Sequence, residues 1–139
     1  MEKTLVLIKP DGVERGLVGE IIKRYEMKGL KIRNIKSVVP TRELAEKHYE
    51  EHKGKEFFEE LIKYLTSGMV IAMILEGENA IKCVRNINGA TKYQDALPGT
   101  IRGDFAYKDT YNLVHASDCS DSAEREINLW FKECHPGEK

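Results

Sequence analysis

One histidine of the sequence lies in a setting that suits phosphoryl chemistry. His115 is the third residue of the apolar segment Leu113-Val114-His115-Ala116, and the helical stretch that follows brings in Glu126. A histidine that accepts a phosphoryl group needs one unprotonated ring nitrogen, while an acceptor fixes the other nitrogen, and Glu126 is a candidate for that acceptor. Histidine is largely neutral near pH 7 and attacks without a separate base. The alternative is a core histidine with only a structural role.

The segment from Asn88 to Asn112 shows no regular periodicity and contains several glycines and a proline. An unstructured loop of that length is uncommon inside a compact domain and is usually functional. It concentrates groups that bind phosphate oxygens through guanidinium forks, hydroxyls and backbone amides. These groups belong to Arg85, Thr91, Thr100, Arg102 and Gly103. The alternative is that the two arginines are surface charges in a chain that is 32% charged.

The remaining histidines are weaker candidates. His48 and His52 lie in a strongly charged helical stretch, and His135 lies next to a Pro-Gly pair near the end of the sequence. We therefore expect all three to be surface residues.

Two adjacent aromatic residues, Phe57 and Phe58, fall in a predicted helix. Their side chains diverge by roughly 100°, so they cannot both face the same core. We expect one of them to cover a ligand, because an exposed aromatic ring near a phosphate site is suited to stacking on a nucleobase.

The apolar pattern predicts the elements that must position these residues. Strands are expected at 4–9, 30–39, 69–75 and 113–116, and helices at 17–28, 42–52, 55–66, 79–87 and 120–132. Thr41 is a candidate N-cap and Gly29 a candidate C-terminal cap, while imperfect alternation predicts a bulge in the second strand. The continuously apolar third strand should lie at the centre of the sheet, and the chain should turn at Pro10-Asp11-Gly12.

This order of elements matches an α+β fold of the ferredoxin-like, split βαβ type. We expect a four-stranded antiparallel sheet with the helices packed on one face. A chain of 139 residues is long enough for one core, so we expect a single domain over residues 1–139.

Bulk composition excludes several classes of function. Lys and Arg total 22 against 23 for Asp and Glu, so no net field attracts nucleic acid or a membrane. Cys83, Cys119 and Cys134 are widely spaced and form no CxxC pair, which argues against a metal or redox motif and favours a reducing compartment. No signal peptide or membrane-spanning run is evident, so we expect a soluble, cytoplasmic protein.

Four segments together resemble the nucleoside diphosphate kinase family, and the resemblance covers residues 3–131. They are Lys9-Pro10-Asp11-Gly12, Gly89-Ala90-Thr91, Pro98-Gly99-Thr100-Ile101-Arg102-Gly103-Asp104-Phe105 and Asn112-Leu113-Val114-His115-Ala116-Ser117-Asp118. A single KPDG would be weak evidence, but these segments in this order, followed by Glu126, are very specific.

The resemblance implies a role for each matching residue. It makes His115 the transiently phosphorylated nucleophile, with Glu126 and Ser117 orienting it or assisting transfer. Positions that bind phosphates and sugar hydroxyls are matched by Lys9, Tyr49, Arg85, Thr91, Arg102 and Asn112, of which Lys9 and Asn112 resemble ribose contacts and Lys9 also lies near the transferred phosphate. Phe57 matches the aromatic residue that stacks on the base, and Leu61 matches its apolar neighbour.

The family also implies a reaction, a cofactor and an assembly. A nucleoside triphosphate phosphorylates the histidine and a nucleoside diphosphate removes the phosphoryl group, in a ping-pong cycle that accepts ribo- and deoxyribonucleotides. Mg²⁺ is bound with the nucleotide phosphates, so no cage of protein ligands is expected. Family members are generally homo-oligomers, commonly hexamers or tetramers.

The sequence departs from the family pattern at several positions, and in the phosphate loop Lys92-Tyr93 replaces the Asn-Pro or Asp-Pro that is frequent after the threonine. Ala116 replaces the glycine that commonly follows the nucleophile, and Asp109 replaces an apolar residue that often covers the second face of the base. We expect activity to survive and nucleotide affinity to be the property that changes.

Two other functions are compatible with the predicted fold. A non-catalytic nucleotide-sensing domain would need the pocket but not His115. A single-stranded nucleic-acid binder would need exposed aromatic residues on central strands and a basic face, whereas the third strand is aliphatic and the net charge is −1.

Overall fold

The structure is a computed structural model and describes residues 1–132, so His135 and Cys134 lie outside the described residues. Its strands are β1 (Glu2–Ile8), β2 (Lys31–Val38), β3 (Val70–Gly77) and β4 (Val114–Ala116). Its α-helices are α1 (Pro10–Glu14), α2 (Val18–Met27), α3 (Arg42–His48), α4 (Phe58–Leu65), α5 (Ala80–Asn88), α6 (Ile101–Phe105) and α7 (Ser120–Trp130). Single 3₁₀ turns occur at Glu50–His52 and Tyr93–Asp95.

The four strands form one sheet in the order β2-β3-β1-β4, and every neighbouring pair is antiparallel. This topology confirms the predicted ferredoxin-like α+β fold, with β3 at the centre beside β1. The short edge strand β4 pairs with the end of β1, and His115 lies opposite Leu7. Residues that face each other across an antiparallel pair share one side of the sheet. The sheet therefore places His115 on the same side as Leu7.

Helices cover both faces of the sheet, so the expectation that they lie on one face was wrong. Val6 and Ile8 belong to a core that includes residues of α2 and α5, whereas Leu5 and Leu7 belong to a second core with α3, α4 and α7. The physical reason is in β1 itself. Its continuous apolar run has no polar alternation, and a strand with that pattern must be buried on both sides.

Two predicted helix ends are confirmed in detail. Gly29 has φ +84°, and its amide donates to the Glu26 carbonyl while the Leu30 amide reaches Tyr25, which is the Schellman arrangement. The Thr41 hydroxyl accepts a hydrogen bond of 3.1 Å from the Leu44 amide at the start of α3. The predicted bulge in β2 is also present, as a register shift between Ile32 and Asn34.

Two segments are more ordered than the sequence predicted. Pro10-Asp11-Gly12 begins the short helix α1 instead of a simple turn, with proline at the first helical position, where its missing N–H is not needed. The segment between α5 and β4 contains the Tyr93–Asp95 turn and α6. Local polar bonds hold it: the Thr100 hydroxyl accepts from the Gly103 amide and donates to the Leu97 carbonyl. Such bonds leave no apolar periodicity in the sequence.

A strained turn precedes β4. Leu113 is fully buried with φ +75°, and the Val114 amide donates to the Asn112 carbonyl at 2.8 Å, which closes a γ-turn. A γ-turn with positive φ at a non-glycine residue is rare and unfavourable in isolation. Such strain persists only where surrounding contacts impose it, and it is typical of functional sites.

The longest described helix, α7, has 11 residues, and within residues 1–132 no helix combines the length and apolarity needed to cross a bilayer.

Gly103 is expected to be the least replaceable glycine of the α6 segment. A Cβ there would lie 1.9 Å from the Leu97 carbonyl oxygen, so Gly103→Ala should lower the free energy of unfolding by about 1–3 kcal/mol. Gly19→Ala in α2 is the matched control, because nothing lies within 4 Å of its Cβ position, and it should raise stability by up to about 1 kcal/mol. Urea denaturation of both variants is the measurement. A Gly103→Ala protein as stable as the wild type would show that the contact with Leu97 relaxes easily.

Candidate active site

A cleft of about 970 Å³ lies at the end of the sheet where β1 and β4 meet. Its walls come from the end of β1, the segment after α3, α4, α5, the α5–β4 connection, β4 and α7. Ten of the eleven residues to which the family resemblance assigned a role line it. They are Lys9, Tyr49, Phe57, Leu61, Arg85, Thr91, Arg102, Asn112, His115 and Glu126.

The central contact of the cleft joins His115 to Glu126, with the imidazole Nε2 2.9 Å from the carboxylate Oε1. Burial raises the pKa of Glu126, but hydrogen bonds from His115 and Ser117 outweigh it and lower the pKa overall. The carboxylate is therefore ionised at neutral pH and only accepts hydrogen bonds. In neutral His115 the hydrogen must lie on Nε2, which leaves the lone pair on Nδ1.

Gly103, whose amide was a candidate phosphate donor, does not line the cleft, and that amide donates to the Thr100 hydroxyl. Of the eleven residues to which the family resemblance assigned a role, Ser117 is the one that does not line the cleft. It is fully buried behind Glu126, and its hydroxyl donates to Glu126 Oε1 at 2.8 Å while accepting from the Leu5 amide at 3.3 Å. The Glu126 carboxylate oxygen therefore accepts hydrogen bonds from both Ser117 and the His115 ring.

Lys9 is a buried cation at the floor of the cleft, with 7% of its surface exposed. Its Nζ donates to Asn112 Oδ1 at 2.9 Å, and the Asn112 amide in turn donates to the Thr91 carbonyl. Burial, with Arg102 nearby, lowers the pKa of Lys9 to about 7. Without a ligand the site therefore holds a lysine that is only partly charged, and a bound phosphate would favour its cationic form.

The two arginines differ in how firmly they are held. Arg102 is buried, and its guanidinium donates to the carbonyls of Asn112, Gly89 and Val114, so three of its five N–H groups bind the backbone. Burial lowers the pKa of Arg102 to about 10, which still leaves it charged at neutral pH. Arg85 is exposed and makes one long bond of 3.4 Å to the Ala116 carbonyl. The remaining N–H groups of both arginines are available to an anion in the cleft.

Aromatic side chains form part of the cleft lining. The ring of His52 lies 6.1 Å from that of Tyr49 and 5.5 Å from that of Phe57. Phe57 is 44% exposed at the cleft and Phe58 is buried, as their predicted divergence requires. Asp109 lines the cleft as well and accepts a hydrogen bond of 3.2 Å from the Tyr93 amide. Asp109 thus bonds to the backbone of the α5–β4 connection, at a position where the family commonly has an apolar side chain over the base.

His48 and His52 are not the surface residues that their charged surroundings predicted. His52 is half-buried and lines the cleft, and His48 is 3% exposed, with its ring 4.4 Å from that of His115. The sequence did contain a signal, because Ala45, His48, Tyr49 and His52 follow helical spacing and form one stripe. The surrounding Glu and Lys residues obscured it.

Comparison with known proteins extends these observations. A sequence model described as nucleoside diphosphate kinase matches residues 2–135. A curated protein named nucleoside diphosphate kinase, from Caldanaerobacter subterraneus subsp. tengcongensis, is 68% identical over 133 residues, which cover 96% of each chain.

Solved structures agree with the sequence comparison. The crystal structure of a nucleoside diphosphate kinase family protein from Babesia bovis superposes with a TM-score of 0.93 at 49% identity, over 96% of this chain and 90% of that one. A halophilic nucleoside diphosphate kinase from Halobacterium salinarum, solved in complex with CDP, gives a TM-score of 0.91 at 51% identity, over 94% and 87% of the two chains.

Proposed function

This chain belongs to the nucleoside diphosphate kinase family, and from that premise we propose which of its side chains carry the reaction. The enzyme transfers the terminal phosphate of a nucleoside triphosphate to a nucleoside diphosphate. In our proposal the transfer is a ping-pong cycle through a phosphohistidine at His115. The observation that carries it is the bond from His115 Nε2 to ionised Glu126, because it leaves a lone pair on Nδ1.

In the first half of the cycle the Nδ1 lone pair attacks the terminal phosphorus. The N–P bond forms while the bond from that phosphorus to the bridging oxygen breaks, and the diphosphate leaves with the bond's electrons. The ring becomes positively charged, and the Glu126 carboxylate on Nε2–H stabilises that charge. Ser117 holds the carboxylate in place. The second half reverses these steps with another nucleoside diphosphate as acceptor.

The phosphates and sugar are bound at the floor of the cleft. Lys9, Arg102 and Arg85 neutralise the negative charge that spreads over the transferring group, so positioning and electrostatics supply most of the catalysis. Thr91 and Tyr49 bind phosphate oxygens, and Asn112 and Lys9 contact the ribose. The burial of the Tyr49 hydroxyl without a partner in the described residues supports this assignment, because buried polar groups normally have one.

Base recognition rests on Phe57, with Leu61 beside it. Stacking uses the face of the base and does not read its hydrogen-bonding edge, so different bases are accepted. Ribo- and deoxyribonucleotides are both substrates in this proposal. The CDP bound to the Halobacterium salinarum relative is consistent with a pyrimidine nucleotide in such a site.

Mg²⁺ is the cofactor that the family implies, and the side chains of the cleft fit it. Asp118 is exposed at the cleft, and a hydrogen bond from Ser122 lowers the pKa of its carboxylate, so a hard, ionised oxygen ligand is present. The nucleotide phosphates would supply the other oxygen ligands. When bound, the ion neutralises charge on the phosphates.

We also infer a cytoplasmic homo-oligomer, either a hexamer or a tetramer. The observation that favours an oligomer is the outer edge of β2, which pairs with no strand among residues 1–132 and has Ile35 and Val39 exposed beside it. Exposed apolar side chains on a sheet edge favour pairing with another chain.

The test of the proposed function uses ATP labelled on its terminal phosphate, with Mg²⁺ and no acceptor. We expect acid-labile, base-stable label on His115 that is discharged on addition of GDP or dTDP. A protein that binds ATP but takes up no label would contradict the phosphohistidine proposal and favour nucleotide sensing. That alternative needs the cleft but not the His115–Glu126 pair.

A further inference from the structure

A second histidine packs against the proposed nucleophile. His48, at the end of α3, has its ring centroid 4.4 Å from that of His115, with the two planes 75° apart. This distance is at the short end of the range for perpendicular ring pairs. The two rings are therefore in direct contact, and the ring of His115 cannot rotate without meeting His48.

The protonation state of His48 follows from its neighbours. Burial, with His115 nearby, lowers the pKa of His48 well below its ordinary value, so its ring is neutral. Trp130 Nε1 lies 3.1 Å from His48 Nδ1, and an indole N–H can only donate. Nδ1 is therefore the acceptor, and the single ring hydrogen of His48 is on Nε2.

This tautomer excludes one function of the cluster. A nitrogen of each histidine and a carboxylate oxygen of Glu126 lie within 4.8 Å of one another, an arrangement that resembles a metal site. A metal ion needs a lone pair from each imidazole. The lone pair of His48 is already engaged by Trp130, so His48 has none to offer.

The Nε2–H edge of His48 is buried and has no hydrogen-bond acceptor among residues 1–132. An unsatisfied buried donor is unfavourable, and its presence in a native fold calls for a functional explanation. In a perpendicular pair, the edge of one ring faces the plane of the other, and an N–H directed at an aromatic face is a weak hydrogen bond.

We propose that His48 is a positioning residue whose Nε2–H edge rests against the ring of His115 and keeps Nε2 of that ring on Glu126 and Nδ1 towards the cleft. The proposal rests on the proposed function, in which His115 is the nucleophile. A single hydrogen bond to Glu126 does not fix a ring, because rotation about the Cβ–Cγ bond brings Nδ1 to that side. The α7 helix holds both contacts, since Glu126 and Trp130 are four residues apart on one helix face.

The position of phosphate on the imidazole tests this proposal. Wild-type protein, His48→Ala and Trp130→Phe are phosphorylated with ATP and Mg²⁺, and ³¹P NMR distinguishes the Nδ1 from the Nε2 phosphohistidine. Trp130→Phe removes the N–H that fixes the tautomer together with part of the buried indole ring, keeps an aromatic side chain in the core, and serves if His48→Ala does not fold. Ala45→Gly is the matched control, because it weakens α3 from a buried position and leaves both histidine rings and Trp130 in the chain.

We expect Nδ1-phosphohistidine alone in the wild type and in Ala45→Gly. His48→Ala should give a mixture of isomers and a tenfold or greater fall in kcat with KM for the nucleotide within twofold, and Trp130→Phe a smaller change in the same direction. A single Nδ1 isomer in both variants would overturn the proposal, whether or not their rates fall. Absence of label in the wild type would instead remove the proposed function on which it rests.

Discussion

His115→Asn is expected to abolish phosphotransfer, with a fall in kcat of at least about 10⁴-fold, because loss of a covalent nucleophile removes the intermediate and not merely one contact. Asparagine is too short to reach Glu126 from the position of Nε2, but the buried carboxylate keeps the hydrogen bond from the Ser117 hydroxyl. Nucleotide binding should therefore change little. Steady-state transfer from ATP to dTDP and calorimetric titration with ADP measure the two properties separately.

The stability and the nucleotide affinity of His115→Asn serve as the controls for this experiment. Equal unfolding midpoints and equal ADP affinity in the wild type and in His115→Asn would assign the lost activity to chemistry. Continued labelling of His115→Asn would show that another side chain accepts the phosphoryl group, and His52, whose imidazole lines the cleft, is the first candidate.

Lys9→Met is expected to have two opposite effects. In the proposed mechanism Lys9 stabilises the transferring phosphate, so its removal should lower kcat by about 10²–10³-fold, as for other single electrostatic contacts to a transition state. The same change should raise the thermal midpoint below pH 7, because the fold no longer buries a lysine that is charged there. Lys3→Met, at an exposed position of β1, is the matched control and should change neither property appreciably.

The sign of the pH dependence follows from the lowered pKa of Lys9, about 7 in the fold against about 10.4 in the unfolded chain. Between these values the unfolded state binds more protons, so the contribution of Lys9 makes the wild type more stable as pH rises. The stabilising effect of Lys9→Met should thus be greatest below pH 7 and fade towards pH 10. Thermal melts across this range measure the effect. A gain in the thermal midpoint of Lys9→Met over the wild type that grows with pH would contradict the lowered pKa of Lys9.

Much of the fold followed from local rules. The cap at Thr41, the glycine at 29 and the bulge in β2 each depend on a few neighbouring residues, and such features are visible in sequence. The distribution of helices between the two faces was mispredicted, although the continuous apolar run of β1 is itself a signal for burial on both sides. The connection that contains α6 was read as irregular because backbone bonds from Arg102 and Thr100 hold it, not an apolar stripe.

The cleft was largely predictable because its residues stand in specific motifs. Ten of the eleven predicted side chains line it, and their individual roles in catalysis and binding remain proposals. His48 was missed for a physical reason: its partner Trp130 is 82 positions away, and local charge patterning carries no information about such a contact. Its tautomer likewise depends on a donor that only the tertiary structure brings near.

The γ-turn at Leu113 has a consequence for folding fidelity. A strand as short as β4 specifies its alignment weakly, and a slip of one residue would transfer His115 to the opposite side of the sheet, away from Glu126. Such a species would be a compact kinetic trap with its apolar core nearly intact. The Lys9 amide on the Leu113 carbonyl and the paired bonds between Leu5 and Ser117 clamp the strand at both ends. The strained turn and Ser117 therefore favour the native register of β4 on β1. That register is the one in which His115 lies beside Glu126.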